Sequence, residues 1–526
     1  MKRLKDTRSR VTKFIDSVVS AISPKMGAER QYNRAMMSGF TGASKSRNSM
    51  KFYSPTNSSP NQVNLEDRET LISRANDLDR NNEIAVGARL KSVASVIGSG
   101  LNHKSKINPL ELGITPEEAD KIEKQLETIW KSWSGSEYAS SEMGMNFHQL
   151  IAIAYNDSFI DGDCLLVEKY IPTRGIRRGA QLGTAYQLVR GARICNKGYA
   201  CDTETKVAGV NLDSNGVAVS YDVLNGDPGE YRDYNKSYSW ALVKAFHQNG
   251  NRKAKLLFKK ERTGEYRGIP RLSRVIEALK QITDYSSNVS ASSVLFSMFT
   301  AFVETQQATG LSTVNESLEG EQASLKGDEQ AMGAGSFVNL APGDSVKMAQ
   351  FAKNSQEFDI FFATLMKKVG MAVGIPYQVL LSHFSSSYSS ARAEILEAHK
   401  TFSQQAKVWG SVYQMAYQAV VLDAHARGLV NLEGILTDPA KKAAYLRSEW
   451  TGLSMIQIDP LRGAKASVIL MESGLSTGER EASETNGSDY NDNLRVRGQE
   501  RKEAEKQGVP LIATVGDEPP INDGGQ

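Results

Sequence analysis

Cysteine, histidine and long apolar runs are all scarce in this sequence, and each shortage removes a class of function. Cys164, Cys195 and Cys201 are an odd set without C-x-x-C spacing, which suggests neither a disulfide framework nor a zinc knuckle and suits a reducing compartment. The six histidines stand in no H-x-x-x-H or H-E-x-x-H register, so no metal-ligand pattern and no cofactor is implied. No apolar run approaches the roughly 18 residues that cross a bilayer. Lys13 and Asp16 also interrupt the apolar positions where a secretory signal needs an unbroken core. The expectation is a soluble intracellular chain with no membrane partner.

Reactive motifs are missing as well. There is no G-x-x-x-x-G-K-S/T loop to cradle phosphates, so the chain has no sequence basis for being its own nucleotide-driven motor. "GSGLNH" from Gly98 lacks the third glycine of a dinucleotide fingerprint. "GLSTG", Gly474 to Gly478, matches the G-x-S-x-G nucleophile elbow, but no strand precedes it and no histidine follows His425. A serine hydrolase is therefore a distant alternative, Gly474 reads as a helix-ending glycine, and the expectation is a protein that is not an enzyme.

What is present starts with charge. Net charge is +3, yet the only acids among residues 1–60 are Asp6, Asp16 and Glu29 against many Lys and Arg, which leaves the remainder mildly acidic. That distribution argues against gripping DNA over the whole surface. Val11, Phe14, Ile15, Val18, Val19 and Ile22 recur at helical spacing beside Arg8, Arg10 and Lys13, predicting a basic amphipathic helix, either packed on its own domain or serving as a docking arm. Residues 38–60 read as a flexible Ser/Asn/Gly strap.

With 526 residues and 40% hydrophobic content the chain can bury a real core in several domains. Leu71, Ala75 and Leu78, then Ile84, Ala88, Val93 and Val96, predict two helices joined near Asn81-Asn82 and stopped by Gly98 and Gly100. Helices over 116–134, with Trp130 and Trp133, and over 147–156 follow. Alternating runs such as "CLLVEKYI", "AYQLVRGARI", "GVAVSYDVL" and "AKLLFKK" predict antiparallel strands up to about Lys260, so the first body is α+β.

A long helix is expected from Pro270, with Leu272, Val275, Ile276, Leu279 and Ile282 on one stripe and a small polar middle, Ser286 to Ser293, that permits a neighbouring helix to come close. Two short strands are expected around the Pro342-Gly343 turn, then a helix from Glu357 to about Val373. From about Ser390 to Arg427 helical spacing persists through Ile395, Phe402, Ala406, Trp409, Tyr413, Ala416 and Val420, a strut of about 55 Å ended by Gly428. Beyond Ser473 a charged helix near 490–507 and a disordered end are expected.

Within "GIPYQVLLSHFSSSYSSARAEILEAHKTF", Gly374 to Phe402, an uncharged, serine-loaded loop lies between two stretches that both read as helix. Taken in order, "RANDLDRNNEIAVGARLKSVASVIGSG", "IDGDCLLV", "GVNLDSNGVAVSYDV", "RGIPRLSRVIEALKQITDY", "NLAPGDSV", "GMAVGIPYQVLLSHFSSSYSSARAEILEAHKTF" and "IDPLRGAKASVILMESGLSTGERE" resemble the lambda-like portal proteins of tailed double-stranded DNA bacteriophages. The resemblance runs from about Arg68 to Gly508. Two departures stand out: Leu256-Leu257 where the family often has a histidine, and Ser387 for its usual asparagine.

The resemblance implies an α+β portal fold with wing, stem, clip and crown regions, assembled as a homo-oligomeric ring of about twelve subunits around a DNA channel. Carried over, it makes 1–66 a basic arm and strap, 67–268 the wing, 269–301 the first stem helix and 302–353 the clip. It makes 354–373 the second stem helix, 374–389 a tunnel loop, 390–428 a long wing/crown helix, 429–475 the crown and 476–526 a partly disordered tail. Implied partners are double-stranded DNA, the terminase large subunit, the head-tail connector, and major capsid and scaffold proteins. A capsid or scaffold assembly protein that conducts no DNA is the alternative. The tunnel-loop residues would be Ser382, His383, Phe384, Ser385, Ser386, Ser387, Tyr388 and Ser389. An uncharged loop suits that place, because one Lys or Arg repeated around a ring would trap the duplex through phosphate contacts, whereas serine hydroxyls offer about 1 kcal/mol each. His383 reads first as an exposed bystander.

Overall fold

The computed structural model describes residues 48–50, 52–174, 180–228, 238–298, 302–305, 344–347, 355–382, 388–452, 460–488 and 490–508, with scattered positions between 15 and 29. The chain divides into two units, Met1–Val63 and Asn64–Gln526. In the first, the described positions between 15 and 29 are helical but for Ser23, as the spacing predicts, with Ile22 and Met26 exposed. Residues 53–59 carry no regular structure. The strap ends at Pro60, where α1 (Pro60–Asn81) begins.

Two helices do arise around Asn81-Asn82: α1 and α2 (Glu83–Val96), the second capped by Asn82, whose side chain accepts from the Ala85 N–H at 2.8 Å. The helix α3 (Pro116–Ser134) starts on a reciprocal Thr115/Glu118 capping box and buries Leu126, Trp130 and Trp133. The helix α4 (Phe147–Ile160) opens the same way on Asn146 and Gln149 and runs four residues past the expected end, because Ser158 and Phe159 are buried.

Among the described residues every pair of strands is antiparallel. A three-stranded sheet in the order β3 (Thr184–Arg190), β2 (Asp163–Tyr170), β8 (Ala254–Phe258) lies between two cores. Cys164, Leu166 and Leu257 join the helical core on one face, while Leu165, Val167 and Leu256 join a smaller core on the other. Successive side chains point to opposite faces, so the near-continuous burial of β2 is what two covered faces require. The smaller core is closed by a second sheet, β4 (Lys206–Val207), β5 (Val210–Leu212), β6 (Ala218–Leu224) and β7 (Trp240–Lys244). Leu256-Leu257 thus supply one apolar side chain to each core.

The spacing places no strand at 102–105 or 448–451, yet β1 (Asn102–Ser105) pairs with β11 (Ser448–Thr451). Around them His103, Trp130, Tyr413, Tyr417 and Trp450 form one aromatic cluster, with ring centroids 4.3 Å apart for His103 and Tyr417 and 5.2 Å for Trp130 and Trp450.

The helix expected from Pro270 starts later: α5 is Ile276–Met298. Ser273 and Val275 make tighter i to i−3 bonds to Pro270 and Leu272, and Arg271 is held by Tyr155 and Gln405, so the first turn is a set of turns and no helix. Residues 286–291 of α5 are exposed in the single chain. Beyond α5, β9 (Phe302–Thr305) pairs with β10 (Asp344–Lys347); residues 306–343, including the Pro342-Gly343 turn, lie outside the described residues. The helix α6 (Ser355–Val373) returns against α5 with Phe361 on Tyr285, centroids 4.8 Å apart.

Then come α7 (Tyr377–Leu381) and α8 (Tyr388–Ala426), the predicted strut, 39 residues and about 58 Å long. Its end is pinned: Asp423 accepts from the Gly183 and Thr184 N–H groups at 2.8 and 3.0 Å, and Gly428 at φ 74° turns the chain away. The C-terminal part is α9 (Pro439–Tyr445), β11, α10 (Pro460–Glu472), α11 (Gly478–Asn486) and α12 (Tyr490–Gln507). Gly474 at φ 69°, with Leu475 N–H on Leu470 O at 3.0 Å, ends α10 as expected. "GLSTG" is therefore a helix-to-helix turn without the strand that a nucleophile elbow needs.

Candidate DNA-channel loop

The serine loop hangs from a rigid entry. At the end of α6 the Gly374 and Ile375 N–H groups both reach Gly370 O, at 2.8 and 2.9 Å, and Gly374 sits at φ 81°. A Cβ on Gly370 would stand 2.5 Å from Ile375 O, so the chain turns this tightly only over glycine. Buried Ile375, Gln378 and Leu380 then seat α7.

The loop is shorter than its sequence suggests. Gly374 to Leu381 is turn plus α7, and Tyr388 and Ser389 form the first turn of α8. The helix thus begins two residues before the expected Ser390, and both residues stand at the junction of loop and helix. Ser382 is exposed and ends α7 in the left-handed conformation, φ 54°. His383, Phe384, Ser385, Ser386 and Ser387 lie outside the described residues.

One side chain that the spacing does not single out grips this end. Lys91 of α2 donates from Nζ to Val379 O, Leu380 O and Ser382 Oγ, each at 2.6 Å. The ammonium thereby satisfies the Leu380 carbonyl, joins the Ser382 N–H on Val379 O, and meets the negative end of the α7 dipole. Burial holds its pKa below the ordinary lysine value. A cation therefore stands at the entry to the loop, with its donors spent on the α7 backbone and on Ser382. No sequence signal marks it, because its partners are carbonyls almost 300 positions away.

A second junction unites two of the motifs quoted above. Asp163 of "IDGDCLLV" is fully buried and receives Arg267 of "RGIP" through Nε at 2.6 Å and Nη2 at 3.0 Å, with Arg68 of α1 at 2.8 Å and the Gly268 N–H at 3.0 Å. Arg267 also donates to Gly191 O, Ile194 O and Ala208 O. Gly162 and Gly268 cross so closely that a Cβ on Gly268 would stand 2.0 Å from Gly162 O. Burial would raise the Asp163 carboxyl, but the two guanidiniums hold it below the usual range. Burial, then Arg267, lowers Arg68 to about 10. Beside them Asp157 is pushed up to about 6, by burial and then by Asp161. The junction fixes the segment that launches α5.

No group of three or more metal-ligating side chains occurs among the described residues, and none of their helices is long and apolar enough to cross a membrane. The three cysteines are free, Cys164 buried and Cys201 exposed.

An α+β body with an uncharged loop hung between helices is a scaffold to which comparison with known proteins gives a class, that of a phage particle component. The model for the phage portal proteins of the lambda family matches residues 46–405, and the chain belongs to that family. It is 23% identical over 483 residues to the portal protein of Escherichia phage N15, covering 88% of this chain and 89% of that one. It is 25% identical over 460 residues to portal protein B of Escherichia phage lambda, covering 83% and 84%. Among solved structures it is similar to a chain of the virion of a native gene transfer agent particle, with TM-score 0.41, 14% identity, and 85% and 94% of the two chains covered.

Proposed function

We propose that this chain is one subunit of a ring, of about twelve copies, through which double-stranded DNA enters a phage capsid and later leaves it. Membership of the portal family over residues 46–405 carries the reading. In it, 67–268 is wing, 269–301 and 354–373 are stem, 302–353 is the clip on which the terminase large subunit and then the head-tail connector dock, and 429–475 is crown. The basic arm, 1–66, meets capsid or scaffold protein. Residues 382–387 face the channel and guide the duplex, Lys91 holding their stem.

Two observations support assembly. The helix α10 leaves Leu461 65% and Ile469 60% exposed in the single chain, apolar surface that a neighbouring copy would cover. The small, exposed residues 286–291 of α5 allow another helix to approach closely.

Electron microscopy of the purified protein should show rings with a bore of duplex width; shell fragments would favour a capsid or scaffold protein that conducts no DNA. Ser386→Arg should leave ring size and terminase binding unchanged. It should slow translocation at low salt and regain speed as salt rises, because about twelve added guanidiniums would face one phosphate charge per ~1.7 Å of axis. Packaging equal to wild type at low salt would remove the loop from the channel.

A further inference from the structure

The two-stranded sheet of β1 and β11 has an open side. Lys106 N–H donates to Arg447 O at 3.0 Å, and in an antiparallel pair bonded residues alternate, so Arg447, Glu449 and Thr451 turn their backbone toward β1. Ser448 and Trp450 therefore turn theirs outward, and among the described residues no other strand pairs with that edge. The edge borders a groove of about 500 Å³ whose far wall is α8, from Lys407 to Gln414. Gln414 braces the groove by accepting from Trp450 Nε1 at 2.7 Å and donating to Leu446 O at 2.7 Å. Lys407 and Arg447 line it against one acid, Glu449.

We infer that this groove receives residues 509–515, "VPLIATV", from the C-terminal tail of a second copy of this chain, added as a third strand to β11. The segment is β-prone, and adding a strand to a free edge is a recurrent mode of recognition. Asp517 and Glu518 follow it and complement Lys407 and Arg447. Pro510 fixes the parity: lacking an N–H, it must face away from β11, and so must Ile512 and Thr514, leaving Leu511 and Ala513 to bond with Ser448 and Trp450.

The source is a neighbour because of reach. In α12, residues 496–507 are exposed save for half-buried Ala504, so the helix leaves its own body after Arg495 and carries Gly508 about 20 Å away. Leu511 lies only about 10 Å further along the chain, too little to double back. A tail given to the next copy is a head-to-tail contact, the kind that closes into rings. The inference rests on the homo-oligomeric part of the proposed function and on none of its DNA chemistry.

The test is hydrogen exchange at the Ser448 and Trp450 amides of the full-length chain, assembled and unassembled, for wild type, Ala513→Pro and Thr514→Pro, with rings scored by electron microscopy. Assembled wild type and Thr514→Pro should exchange roughly tenfold or more slowly than the unassembled chain, and Ala513→Pro rings should have lost that protection. Ala513→Pro rings as protected as wild type would overturn the inference while leaving the ring reading intact. Protection that persists in the unassembled chain would overturn it too, by making the occupant the chain's own tail. Absence of rings in wild type would instead strike the ring reading.

Discussion

Asp157 and Asp163 sit six positions apart, and their surroundings push them in opposite directions. Asp157 has a folded value of about 6 against 3.8, so its contribution to stability is complete below pH 3.8 and is lost as pH rises through about 6. Asp157→Asn, which keeps an acceptor for the Cys164 thiol, should match wild type near pH 4 and exceed it by up to about 3 kcal/mol above pH 7. Asp163 lies below 3.8, so its contribution holds above that pH and fades only as acid drives it through its lower folded value. Asp163→Asn should therefore lose stability at neutral pH, by about 3–5 kcal/mol, because Arg267 and Arg68 remain buried without their counter-charge. Urea midpoints across pH 4–8 check both signs; parallel curves for Asp157→Asn and wild type would refute the first.

At the scale of elements, the seating of α7 decides where the serine loop begins. Lys91→Met keeps the length of the side chain and removes three donated bonds, so amides of residues 378–382 should exchange about tenfold faster while Lys91→Arg restores much of the protection. Unchanged exchange in Lys91→Met would show that packing of Ile375 and Leu380 alone seats the turn. The periodic elements were legible in the sequence: the stripe in α8 and the two tryptophans of α3 announce a buried face, and the apolar runs of β2 and β8 announce strands, covered on both faces rather than on one. Those that escaped it owe their form to partners. "NHKS" of β1 carries no apolar alternation and is a strand only because β11 lies beside it. The five residues of α7 are too few to show a period, and the late start of α5 follows from how Arg271 is held. Gly162, Asp163, Arg267 and Gly268 could be quoted as motif residues, but nothing local said that they touch.

For the whole molecule, an insertion between two packed helices tolerates change without unfolding them. Replacing residues 319–328 by a Gly-Ser linker should leave rings intact and abolish binding of terminase, measured by co-sedimentation with purified rings. Undiminished binding would move the motor's docking site out of the clip.

The pairing of β1 with β11 also sets a clock. Trp450 packs on both His103 and Trp130, yet it is made about 345 residues after the first of them. At about 5–20 residues per second the ribosome needs roughly 20–70 seconds to supply it. Throughout that interval the aromatic cluster lacks one wall and the first body is an unfinished, sticky surface. The cluster closes only once Trp450 has left the ribosome.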